Sequence, residues 1–247
     1  MNETSHWLSR ITPRAGIGWK ELTRLGTLDP YGQHQALCRL FDLPPKEQHS
    51  EKSTPFLFRA ERIEPASAMG YVHPDLVGLP VFYVLSKEKP EDRPGLWRIE
   101  MNDNGYRPDL REGDRLAFKL RANPVVTRKT DQGRRHDVVM DAKRKMNWES
   151  LPPEERPTLA QLAYDAGSQW LLGRAEKMGC KFDASVLRVD GHSTWRQRHG
   201  KKIELSTLDF EGILQVTEPD GFLKALQNGI GPAKAFGCGL MLVRRLG

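Results

Sequence analysis

The 247-residue chain carries 38 Lys+Arg against 32 Asp+Glu, a formal net charge of +6, and its pI lies near 9.3. With 38% hydrophobic residues it can build the core of one large domain or two modest ones, which excludes the disordered and fibrous classes. The longest apolar run, Leu79 to Leu85, is about seven residues against the roughly 18 of a membrane helix, and Met1 to Pro13 has charges but no apolar signal region; no membrane association and a cytoplasmic location are therefore expected.

In chain order, Trp7 to Ile11 reads as a short first strand, followed by a polar connection with Pro13, Gly16 and Gly18. Asp29-Pro30 supplies an N-cap residue with proline at the first helical position, and the spacing of Leu37, Leu40 and Phe41 predicts a helix from Tyr31 to Leu43, stopped by Pro44-Pro45. Pro55 to Ile63, Leu79 to Ser86 and Leu96 to Met101 have the Phe, Ile and Val content of strands, with a polar loop from Lys87 to Gly95. A change of composition near residue 110 suggests two domains, 1–110 and 111–247.

The second half opens on a strand through Leu116, Phe118 and Leu120, then a basic loop and an acidic, proline-rich spacer from Glu149 to Pro157. Leu159 to Lys177 is expected to be helical, with Leu162, Ala163, Trp170 and Leu171 on one face and Gly179 as its cap. Strands follow at Ser185 to Val189 and Ile203 to Val216, around a basic hairpin tip from Trp195 to Lys202. Pro219 to Asn228 reads as a helix and Leu240 to Val243 as a closing strand. Both halves alternate strands with two helices, the pattern of an α+β fold of two tandem ferredoxin-like (RRM-like) domains.

Cys38, Cys180 and Cys238 show no Cys-x-x-Cys pairing, and the seven histidines contain no His-x-x-x-His pair. Neither a disulfide framework nor a zinc site is expected; with no Asp-x-Asp for a two-metal centre, any catalysis is expected to need neither metal nor cofactor. Positive charge is segregated. Arg115 to Lys145 holds ten basic residues against three acidic, Arg188 to Lys202 five against one, and Phe222 onward four against none. Each run alone fits a solvated face, but three converging runs would make a surface for a polyanion.

Three features could carry chemistry. Gly229-Ile-Gly-Pro-Ala-Lys-Ala-Phe-Gly-Cys-Gly239 has two Gly-x-Gly pairs flanking Lys234; Gly229, Gly231, Gly237 and Gly239 would let backbone N–H groups approach a phosphate, or simply make tight turns. Tyr31 and His34, three apart, share a helix face. A histidine with an unperturbed pKa of about 6.5 can remove a proton from a ribose 2′-hydroxyl or give one to a leaving 5′-oxygen. Leu37 and Phe41 occupy the same face, so a buried core histidine is the competing reading. The hairpin tip gathers Arg196, Arg198, Lys201 and Lys202 around Gly200, suited to the backbone of a folded RNA, although charged tips also serve solubility.

Taken together, Leu8-Ser-Arg-Ile, Tyr31-Gly-Gln-His-Gln-Ala-Leu-Cys-Arg-Leu-Phe41, Phe56-Leu-Phe-Arg-x-Glu61, Phe118-Lys-Leu-Arg-Ala-Asn-Pro124, Phe210-Glu-Gly212 and the Gly229 to Gly239 loop resemble the CasE family, the CRISPR precursor-RNA-processing endoribonucleases of type I-E Cascade. The resemblance spans nearly the whole chain. It implies two ferredoxin-like domains and a metal-independent cut in the repeat RNA at the 3′ base of its hairpin. It also implies retention of the mature crRNA alongside other Cascade subunits. The cleaving residue would be His34, with Tyr31 beside it and Arg39 in a basic position found in some members. RNA would be held by Arg196, Arg198, Lys201 and Lys202, extended by Arg128, Lys129, Arg134 and Arg135 and by the glycine loop with Lys234. A non-catalytic RNA-binding subunit of a CRISPR ribonucleoprotein is the alternative, in which Phe56, Phe58, Phe82 and Tyr83 would be cast as a base-stacking sheet surface, although alternating burial makes most of them core.

Overall fold

The computed structural model describes residues 6–43, 55–65, 74–128, 133–196 and 204–246. The chain divides into two compact units, Met1–Pro108 with Lys234–Leu240, and Asp109–Ala233 with Met241–Gly247. The second half of the glycine loop thus belongs with the first unit, where sequence order had assigned it to the C-terminal domain. The reason is packing: at Gly237 a side chain would meet the Phe58 ring at 3.2 Å.

In the first unit, β1 (Trp7–Pro13) is followed by α1 (Trp19–Gly26), α2 (Pro30–Cys38), β2 (Phe56–Arg62), β3 (Pro80–Ser86) and β4 (Trp97–Met101). The sheet order is β2-β3-β1-β4, every neighbouring pair antiparallel. That is the ferredoxin-like arrangement, in which each βxβ crossover skips one strand. The β3 to β4 crossover has no helix. Phe41 and Phe56 stack at 5.0 Å, and edge contacts run on from Phe58 to Phe82 at 6.3 Å and from Phe82 to Trp97 at 5.6 Å. Phe56, Phe58 and Phe82 are buried, so these aromatics are core and not a stacking platform.

Two expectations for this unit are corrected. The supposed polar connection before Asp29 contains α1, which buries Leu22 and Leu25 three positions apart; eight residues with a charged outer face leave little periodicity to read. The helix expected to reach Leu43 ends at Cys38, because Leu40 and Phe41 donate to Leu37 and Cys38 in a tighter turn that carries both side chains into the core.

The second unit contains β5 (Arg115–Ala122), β6 (Val125–Thr127), β7 (Arg135–Asp137), α3 (Val138–Lys145), α4 (Leu159–Leu172), β8 (Cys180–Phe182), β9 (Arg188–Arg196), β10 (Glu204–Val216), α5 (Pro219–Asn228) and β11 (Met241–Arg245). Its sheet order is β11-β5-β10-β8, with β9 also on β10. β8 and β9 are two pieces of one ferredoxin-like edge strand, paired to the far and near ends of the 13-residue β10. Gly212 lies opposite the break, where a Cβ would stand 3.4 Å from the Val186 carbonyl. Helix α4 approaches the sheet closely because position 167 is glycine: a Cβ there would lie 2.7 Å from Val189 and 2.9 Å from Leu208. The expected basic loop after Pro124 is in fact the β6–β7 hairpin and α3, capped by Asp137, whose carboxylate accepts from Met140 N at 2.8 Å. The strand expected at Ser185 to Val189 runs instead through Arg196. Among the described residues no helix is long and apolar enough to cross a membrane.

Candidate functional site

Helix α2 starts sharply because Asp29 accepts from Gly32 N at 2.7 Å and Pro30 occupies the first turn. That start sets Tyr31, His34 and Cys38 on one face. His34 is only 2% exposed. Its ring lies 5.4 Å from Phe56 and 6.3 Å from Phe58, and Nε2 is 3.5 Å from the Cys38 sulfur. Burial pushes the Cys38 thiol up to about 11, so the sulfur beside the imidazole is a neutral S–H at physiological pH. Tyr31 is half-buried, its ring 6.5 Å from Phe236. Phe236 belongs to a short 3-10 turn, Lys234–Phe236, that packs on α2 and β2 within the same unit. An imidazole and a phenol therefore share one helix face in apolar surroundings. Arg39 does not join them: it is exposed at the C-cap of α2 and helps hold the Glu21 carboxyl of α1 low, after the hydrogen bond from Arg24.

The glycine loop divides by role. Gly229 caps α5, and Gly231, at φ 80°, lies against the Trp170 ring, where a Cβ would stand 3.2 Å away. Gly237 backs onto Phe58 as described, and Gly239 has φ 95°. These positions need glycine for turns and close ring contacts.

Much of the basic surplus in the second unit is matched by local acids. Lys119 pairs with Glu211 at 3.0 Å, Arg121 with Asp209 at 2.8 Å and Arg196 with Glu204 at 2.9 Å. Asp141, its side chain 4% exposed, accepts from Arg128 at 2.6 Å and pairs with Lys145 at 3.0 Å. Burial works against its charge, but these two contacts outweigh it and hold the carboxyl below its ordinary value. In the β6–β7 hairpin and α3 the cations with no acidic partner among the described residues are Arg134, Arg135, Lys143 and Arg144, Lys143 resting on the Trp148 ring at 4.4 Å. Lys129, Arg198, Lys201 and Lys202 lie outside the described residues. Helix α3 itself was missed in the sequence, although Asp137 at its cap and Lys143, Arg144 and Lys145 in its last turn are the charge pattern of a helix dipole. His192 of β9 was missed too; it stands 3.6 Å from Asp137. Among the described residues no group of three His, Cys, Asp or Glu side chains could hold a metal ion.

The strand orders and this split between an apolar histidine face and a charged second unit define a tandem ferredoxin-like α+β protein. The family of CRISPR associated proteins matches residues 6–245, and the chain belongs to that family. It is 30% identical over 138 residues to the CRISPR-associated endoribonuclease Cse3 of Thermus thermophilus, covering 56% of this chain and 59% of that protein. It is also 30% identical over 133 residues to the CRISPR system Cascade subunit CasE of Escherichia coli, covering 53% and 59%. These matches span little more than half the length of either curated relative. The resemblance to the CasE family is borne out. The fold is shared with a structure of the CRISPR endoribonuclease Cse3 bound to a 19-nucleotide RNA (TM-score 0.65, 22% identity, 97% of this chain and 99% of that one). It is shared also with Cas6e of Escherichia coli (TM-score 0.55, 22% identity, 98% and 100%).

Proposed function

We propose that this chain is a metal-independent endoribonuclease that cuts CRISPR precursor RNA within each repeat, at the 3′ base of the hairpin, and keeps the mature crRNA as a cytoplasmic Cascade subunit. The observation that carries the reading is the pairing of Tyr31 and His34 on one face of α2, in a chain whose 30%-identical relatives are named as a CRISPR-associated endoribonuclease and a Cascade subunit.

In this reading the ribose 2′-oxygen attacks the adjacent phosphorus as it loses its proton. The bond to the 5′-oxygen breaks, and that oxygen takes up a proton, leaving a 2′,3′-cyclic phosphate and a 5′-hydroxyl. His34 serves as the base for the first proton or the acid for the second, and Tyr31 orients or stabilises the phosphate. A ring that is 2% exposed meets a phosphate only after the side chains over it withdraw. The same burial supports a second reading, an RNA-holding subunit in which His34 is a core residue. Incubation of a labelled repeat hairpin in excess EDTA tests the first: a single cut, abolished by a 2′-deoxy substitution at the scissile nucleotide and yielding a cyclic phosphate end, is expected. Tight binding without any cut would favour the second.

A further inference from the structure

A groove of about 610 Å³ lies in the second unit between α3, the β6–β7 hairpin and the start of β10. Most charges lining it are already engaged: Arg128 with Asp141, Glu204 with Arg196, and Asp137 with the first turn of α3. Two are not. Arg135, from β7, and Arg144, from α3, line the groove from different elements with no acidic partner among the described residues. One turn before Arg144 on the same helix face, Met140 also lines the groove and is 55% exposed.

Two unpaired guanidiniums beside an exposed, polarisable apolar side chain form a pattern that suits a nucleotide: phosphate oxygens on the forked donors, a base face against the thioether. The dimensions are those of a small-ligand cleft, which admits one or two splayed nucleotides and no duplex. β10 begins at Glu204, and Glu204 and Ser206 contribute to the groove wall.

We infer that this groove binds unpaired nucleotides that flank the repeat hairpin, with Arg135 and Arg144 on the phosphates and Met140 against a base. The inference rests on the RNA-processing reading above and adds to it a single-strand site separate from the stem.

The test uses the full chain with three RNAs: a blunt repeat hairpin, the same hairpin with a five-nucleotide single-stranded flank, and a uridine pentamer. The double variant Arg135→Ala/Arg144→Ala is expected to lower the advantage of the flanked over the blunt hairpin about tenfold, and to reduce the salt slope of pentamer binding by about one to two. Met140→Trp, which enlarges the stacking face at an exposed position, is expected to tighten pentamer binding and so guards against a fold defect. Equal loss on both hairpins, or no loss on either, overturns the inference. Unchanged RNA binding with failure to assemble with other subunits would make the groove a protein contact and overturn it equally. If the wild type ignores the blunt hairpin and binds the flanked hairpin no better than the pentamer, both through Arg135 and Arg144, the processing reading fails and the groove stands.

Discussion

Helix α2 and helix α3 are nearly the same length and each is started by an aspartate cap, yet their surroundings are opposite. Around α2 the neighbours of His34 are Phe56, Phe58 and a neutral Cys38 thiol, whereas α3 ends in three consecutive basic residues and lines a groove with two unpaired arginines. Under the proposed function the contrast separates two jobs. A proton-transferring group works best where water is excluded and its partners are fixed, and a polyanion is held best by cations that keep their charge at the surface. One helix is dry and poor in charge; the other is wet and rich in it.

The largest effect should come from disturbing the dry side. Phe58 is fully buried, stacks near the His34 ring at 6.3 Å between centres and backs Gly237, so Phe58→Ala should cost about 3–5 kcal/mol, measured by denaturant unfolding, and loosen the histidine face with it. A cost below about 1 kcal/mol would mean the aromatic row does not hold this site. The wet side should respond to salt. The four cations of the β6–β7 hairpin and α3 without acidic partners among the described residues, Arg134, Arg135, Lys143 and Arg144, predict about a hundredfold loss of repeat-RNA affinity between 50 and 200 mM salt, while cutting at saturating protein should change little. Binding that stays flat over that range would break the assignment of charge to the second unit.

Asp141 marks the boundary between structure and binding in the α3 region. Its folded pKa lies below the unfolded value, so the stabilisation from Arg128 and Lys145 is fully present above about pH 4 and is lost as pH falls through the lowered value. Asp141→Asn should therefore cost about 1–3 kcal/mol at pH 7 and flatten the acid limb of the stability profile; an unaltered limb would show that the two pairs contribute nothing. The smallest effect is expected at Cys38. Cys38→Ser should slow cutting by less than about tenfold, on the order of 1 kcal/mol, because the neutral thiol only steadies the imidazole. A complete loss in a folded variant would make the thiol part of the chemistry.

What could be read ahead of the structure follows where the physical signal is local. Helix α5 was legible to the residue, since proline at its first position and Gly229 after its end mark both termini. The strands of the first unit were legible as apolar runs. Helices α1 and α3 were not, because each is eight residues long with a charged face and periodicity over two turns is weak. Tyr31 and His34 were singled out as candidates by their spacing on one helix face, and only the family resemblance set the catalytic reading above that of a core histidine. Their cover was not, since the contact of Tyr31 with Phe236 joins positions 205 apart in the chain and leaves no trace in local pattern. The ion pairs that neutralise Lys119 and Arg121 were hidden for the same reason: their acids, Glu211 and Asp209, come from a strand about ninety residues later.

The account turns on His34, and the most direct measurement is single-turnover cleavage of a labelled repeat hairpin in excess EDTA by wild type and His34→Ala, with binding measured in parallel. The expected result is a single cut by the wild type and a loss of at least about a hundredfold in the variant at unchanged RNA affinity. Equal cutting by both proteins, or tight binding with no cut by either, would contradict the account and return His34 to the hydrophobic core.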